Sequence, residues 1–297
     1  MPRFHHLILL STPPAILAYT THRYLSTLEA KYPPVDPTTT TSLALRTPSN
    51  PATQHCPDID VYEAKHIPVK SLLKRYTTLL QSQPEPHDLK NINKATLTNA
   101  WILTLLNTRP LLVEGSIIGL IKNKSYSPGD TGLTDPEFIP TSTPIPKDTS
   151  TSTLTKKLSS IFTHNHQTED HTIVSEKGKD RPLLNSAFTI QHSSPTTGLL
   201  LSWRMPDEPR LFFEKIARWG YPWRLMSGGR HEINISDVYI YHGEEVVDVR
   251  FASAHDYEIV SDEQKQKQKI IPAWVGRLHR GYARVLVDCA VGDLSIS

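Results

Sequence analysis

A period of two runs through the region from Val247 to Ile259. Val247, Val249, Phe251, Ser253, His255, Tyr257 and Ile259 alternate with a set that includes Asp248, Arg250, Asp256 and Glu258. Successive side chains of a strand point to opposite faces, so a strand is predicted over 246–260 with the first set turned to the interior. The same spacing over 231–236 puts His231 with Ile233 and Ile235, and Arg230 with Glu232 on the other face. Leu199 to Met205, the alternation at Phe188 and Ile190, and Asp58 to Lys65 read as further strands.

Helical spacing appears elsewhere. Val69, Leu72, Leu73, Tyr76, Leu79 and Leu80 mark a helix after Pro68, and a second runs to about Leu106 after the turn at Pro84-Glu85-Pro86. Leu111 to Ile121 forms a third apolar segment, and Leu154, Leu158, Ile161 and Phe162 mark a short helix. A helix over Pro209 to Trp219 takes Asp207 as N-cap and Gly220 as its stop. The last helix lies within Ile271 to Val291. Trp274, Val275, Leu278, Tyr282, Val285, Leu286 and Cys289 share one face, and Arg277, Arg280, Arg284 and Asp288 the other, with Gly292 as the expected end.

Strand, helices, several strands and a closing helix argue for an α+β fold. The arrangement expected is helix-grip-like: a curved antiparallel sheet around a long C-terminal helix, with a cavity between them. Residues 58–297 form that domain, with a Pro/Thr-rich insertion at about 123–151. Residues 1–57 hold an apolar N-terminal segment and a Pro/Thr-rich arm, expected to bury little. The run from Leu7 to Tyr19 is read as a packed helix, with a signal or short anchor as the alternative. It is shorter than the roughly 20 apolar residues that a membrane-spanning helix needs, and Pro13-Pro14 interrupts it.

On these residues a resemblance stands. DIDVYEAK, the helices after it, the later strands and IPAWVGRLHRGYARVLVDCAV resemble the START/polyketide-cyclase superfamily of helix-grip proteins. LLVEGSIIGLI, SYSPGDTG, RWGYPWRLMSGGRHE and VRFASAHDYE resemble an uncharacterised fungal family associated with secondary-metabolite gene clusters. The resemblance covers about residues 58–291. It implies a hydrophobic cavity that carries a polyketide- or terpenoid-like ligand, or cyclises, isomerises or dehydrates it. The superfamily has no universal catalytic residues, so it assigns no role to any position here.

The charge balance changes the picture in one respect. Thirty-two basic and 30 acidic residues are well mixed, for a net charge of +2, which leaves no basic footprint for nucleic acid. Two cysteines, Cys56 and Cys289, do not make a disulfide scaffold and favour a reducing, cytoplasmic setting. Weak membrane association through residues 4–19 stays as an alternative.

The candidate chemistry follows from the alternation. His255, His231 and Tyr257 are expected to point into the cavity as catalytic groups, since imidazole titrates near neutral pH; the competing reading is buried polar groups satisfied by their neighbours. Trp203, Trp274, His279 and Tyr282 are expected to line the ligand, although Trp203, Trp219, Trp223, Trp274, Tyr221 and Phe212 can equally fill a core. Glu114, within LLVEGSIIGLI, is either a desolvated acid or a residue on the wet side of its helix. His164, His166, Glu169 and His171 have metal-like composition without flanking glycines, and read as a solvated loop. Ser227 to Glu232 reads as a turn entering a strand, not as a phosphate loop. No metal and no cofactor are expected, and no Ser-His-Asp set or nucleophile elbow is present.

Overall fold

The computed structural model describes residues 3–80, 93–121, 182–194, 197–261, 263 and 268–296. Its central strand is β8 (Glu244–Glu258), the segment with the clearest alternation. On one side β8 pairs with β1 (Gln54–His55) and β2 (Ile59–Pro68), and on the other with β6 (Gly228–Ile235) and β7 (Tyr239–Tyr241). The sheet continues through β5 (Gly198–Arg204) and β4 (Phe188–Ser194) to β3 (Pro182–Leu183), with every pair antiparallel. The first long strand therefore lies beside the last. β7 and β8 are joined at His242 and Gly243, both at positive φ (49° and 82°), as a two-residue hairpin turn that matches strand twist requires.

One sheet face carries the main core. Val247, Val249 and Phe251 of β8 and Ile233 and Ile235 of β6 pack on α4 (Val69–Leu80), α5 (Lys94–Leu106) and α8 (Ala273–Ile296). Trp101 of α5 is fully buried, and its Nε1 donates to the Arg250 carbonyl at 3.0 Å. α6 (Arg109–Ile121) flanks α8, and α1 (Arg3–Lys31) packs on its far side. The architecture is α+β and helix-grip-like, with the C-terminal helix held against an antiparallel sheet. No helix among the described residues is long and apolar enough to cross a membrane.

α8 differs from the expected pattern. The residues it buries are Gly276, Gly281, Ala283, Arg284, Leu286, Val287, Ala290 and Leu294, a stripe of mostly small side chains that lets the helix approach its neighbours closely. Trp274 and Leu278 stay 62 % and 44 % exposed, so Trp274 is no wall of the cavity. The polar arc is covered as well. Arg277 makes a two-pronged bond to Glu29 at 2.8 and 2.9 Å, and Arg284 is buried over the Tyr62 ring with its Nε on the Tyr32 carbonyl. Gly292 does not end the helix, which runs on to Ile296, and Cys289 is half-buried.

The Pro/Thr-rich arm is no free linker. Through α2 (Pro37–Thr40) and α3 (Leu43–Arg46) it lies on the other sheet face, where Leu45 is fully buried with Val61, Leu200, Ala252 and Ala254. The charges predicted on that face are buried beneath it. Arg230 holds Asp256 through two bonds of 2.8 Å and donates from Nε to the Leu45 carbonyl, while Glu232 accepts from the Ser42 backbone and hydroxyl. One further expectation shifts. α7 (Asp207–Arg218) takes Pro206 at its N-cap, so Asp207 lies inside the first turn and pairs with Arg204 and Arg210. Buried Arg224 donates to both carboxylate oxygens of Glu263, at 3.1 and 3.2 Å. The short helix predicted around Leu154 and the His164, His166, Glu169 and His171 group lie outside the described residues.

Candidate functional site

Strand register places the polar groups in rows across the inner face. Leu199, Ile233, Phe251 and Tyr62 lie opposite one another and are apolar save for one phenol; the next row is Leu201, His231, Ser253 and Asp60. The row after that is Trp203, Gly229 and His255. Gly229 matters here because it leaves a gap: a Cβ would stand 2.4 Å from the Ala254 carbonyl oxygen and 2.8 Å from Trp203 Nε1. The indole lies over the glycine and reaches the His255 ring, with centroids 6.4 Å apart.

His255 meets the last helix. Its Nε2 lies 2.8 Å from Nε2 of His279 and 3.2 Å from the Ser253 hydroxyl. A bond between two such nitrogens requires one to donate and the other to accept, so the two rings hold complementary tautomers when neutral. Burial, the neighbouring His279 and the cations Arg280 and Arg230 push His255 down to about 3. Burial and then Arg280 lower His279. His231 sits well below its ordinary value through burial and its two histidine neighbours. The Ala252 backbone opposes this as the smallest contribution, and Nδ1 of His231 has no hydrogen-bond partner among the described residues. The three imidazoles are therefore neutral at pH 7.

Two voids touch this pair, and a third lies nearby. An inner cavity of about 120 Å³ lies between sheet and helix, walled by leucines, Ile233 and Phe251, with His231, His279, Glu114 and Tyr282 as its polar groups. A second of about 200 Å³, lined by Asp60, His255, Tyr257, His279 and Arg280, lies at the start of α8. An open cleft of about 800 Å³ runs past Trp203, Arg204, Arg210 and Phe188. His279 is the residue common to the first two, while Glu114 and Phe188 line both the inner cavity and the cleft.

Of the residues singled out from the sequence, His231, His255, Tyr257, Trp203, His279 and Tyr282 gather around these voids, and Trp274 does not. His231 and His255 point inward but line different cavities. Tyr257 is buried beside the His55 ring, and burial raises it to about 12, so it is a donor and not a base near neutrality. Glu114 is partly buried, between the inner cavity and the open cleft, and Tyr282 donates to its Oε2 at 2.6 Å. Asp60 was not foreseen, although its alternation with buried Tyr62 in β2 carried the signal. Burial raises its carboxyl above the usual range, against the pull of Arg280. Among the described residues no group of three or more His, Cys, Asp or Glu could hold a metal ion.

Comparison with family models, with curated proteins and with solved structures found no match.

Proposed function

We propose that the chain serves a fungal secondary-metabolite pathway, binding a hydrophobic polyketide- or terpenoid-like intermediate in the cleft and inner cavity and cyclising, isomerising or dehydrating it by acid–base chemistry. The observation that carries this reading is the His255–His279 bond at the boundary of two voids. His279 faces both cavities and is the proton-transfer group; His255, pushed to about 3, is too weak a base for neutral pH and serves to fix the tautomer and position of His279. Apolar walls strengthen each polar contact by excluding water. Trp203 sets the position of His255, and Tyr257 and Tyr282 act as neutral hydrogen-bond donors. The free cysteines Cys56 and Cys289 suit a cytoplasmic setting.

A second reading is a non-catalytic carrier held weakly at a membrane through residues 4–19. It is favoured by Ile16, Leu17 and Tyr19, which are 57 %, 67 % and 64 % exposed on α1. Deletion of the gene with metabolite profiling, followed by complementation, separates the two. The catalytic reading expects an intermediate to accumulate, restoration by the wild type, and no restoration by His279→Ala. Restoration by His279→Ala favours the carrier, and an unchanged profile after deletion overturns the biosynthetic reading.

A further inference from the structure

The inner cavity has a chemical character of its own. At about 120 Å³ it is close to the roughly 150 Å³ apolar cavities known to accept benzene, so it takes one ring or the end of a larger molecule. No lysine or arginine among the described residues lines it. Its polar groups are two imidazoles, the Tyr282 phenol and the Glu114 carboxylate. The phenol proton is already given to Oε2 of Glu114 at 2.6 Å. The Glu114 side chain stands where the cavity adjoins the open cleft, and a carboxylate can accept several hydrogen bonds beyond the one from Tyr282. A carboxylate in this setting draws hydroxyl donors, and a cavity lined by it repels anions.

Resting on the ligand-binding reading above, we infer that the inner cavity is a subsite for a neutral ring bearing a hydroxyl, and that Glu114 selects it by accepting that hydroxyl's proton in a hydrogen bond. Tyr282 holds the carboxylate in place from α8, so Glu114 is the specificity-determining residue and Tyr282 its positioning partner. His231 and His279, each a donor and an acceptor when neutral, receive a second oxygen on the ligand. The subsite rejects carboxylic acids and phosphate esters, which must stay in the cleft near Arg204 and Arg210.

Three one-ring probes of similar size test this: phenol, its methyl ether anisole, and benzoate, each titrated into the full chain by NMR. Phenol is expected to bind about tenfold more tightly than anisole, the size of a charge-assisted bond less its desolvation, and benzoate is expected not to bind over the same range. Glu114→Gln should bring phenol and anisole to within about twofold, whereas Tyr282→Phe should keep the preference, which a merely structural role for Glu114 would not produce. Equal binding of phenol and anisole to the wild type, or a preference surviving in Glu114→Gln, overturns the inference while leaving the cavity as a binding site. Failure of all three probes overturns the inference and the binding reading of this cavity together. The wild-type comparison carries the test if Glu114→Gln fails to fold.

Discussion

His255 on the central strand and His279 on the closing helix share a 2.8 Å bond between their Nε2 atoms, which ties the sheet to the helix through two uncharged rings. Both rings, and His231 beside them, have proton affinities lowered chiefly by burial. In the unfolded chain each titrates near 6.5. Between that value and the folded one the unfolded state binds more protons, so stability rises with pH and falls on acidification. The stability is complete above about pH 7 and is lost as pH drops towards the folded value, about 3 for His255. Each histidine contributes a slope of up to about 1.4 kcal/mol per pH unit. Urea denaturation from pH 7.5 to 4.5 should show this slope, and His255→Gln should flatten it. A pH-independent midpoint over that range would contradict neutral buried histidines.

Arg230 and Asp256 form a two-bond ion pair beneath the arm, both nearly fully buried. Removing one partner leaves an uncompensated buried charge, so Asp256→Asn should cost about 3–5 kcal/mol. Leu45→Ala, which empties the apolar seat of the arm, should cost about 2–5 kcal/mol. Hydrogen exchange should then speed up over residues 42–50 first. Unchanged protection there would mean that the arm does not depend on these contacts.

Gly229→Ala puts a methyl group within 2.4 Å of the Ala254 carbonyl oxygen and 2.8 Å of the Trp203 indole. The backbone oxygen cannot yield as a side chain can. A loss of about 1–3 kcal/mol or more is expected, with a change in tryptophan emission as the indole leaves His255. Wild-type stability and emission would refute the close packing of this row.

The two tryptophans Trp101 and Trp274 should behave oppositely. Trp101 is fully buried and hydrogen-bonded, so its replacement by alanine should cost about 3–5 kcal/mol. Trp274, mostly exposed, should change stability by no more than about 0.5 kcal/mol when replaced by alanine. Thermal unfolding of both variants checks this.

The inward turn of His231 and His255 was legible because alternation in a strand is local: once Phe251 and Ile233 face the core, the faces of their neighbours follow. Helical spacing likewise located α4, α7 and α8, although boundaries moved. The failure at Trp274 has a physical cause. Reading a helix face from its bulky apolar residues misses one that packs through Gly281, Ala283 and Ala290, where small side chains permit close approach. Leu45 gave little warning either, as one leucine among threonines and prolines carries no periodicity.

The sequence by itself determined the class of the fold, the register-independent facing of β6 and β8, and the lack of a strong charge bias, since each depends on neighbours along the chain or on composition alone. Only the tertiary structure decided that the arm seals Arg230 and Asp256, that His279 meets His255, and that Glu114 meets Tyr282. Those contacts join residues far apart in the chain, and their geometry is set by how closely whole elements can dock, a property of packed volumes that no local pattern records.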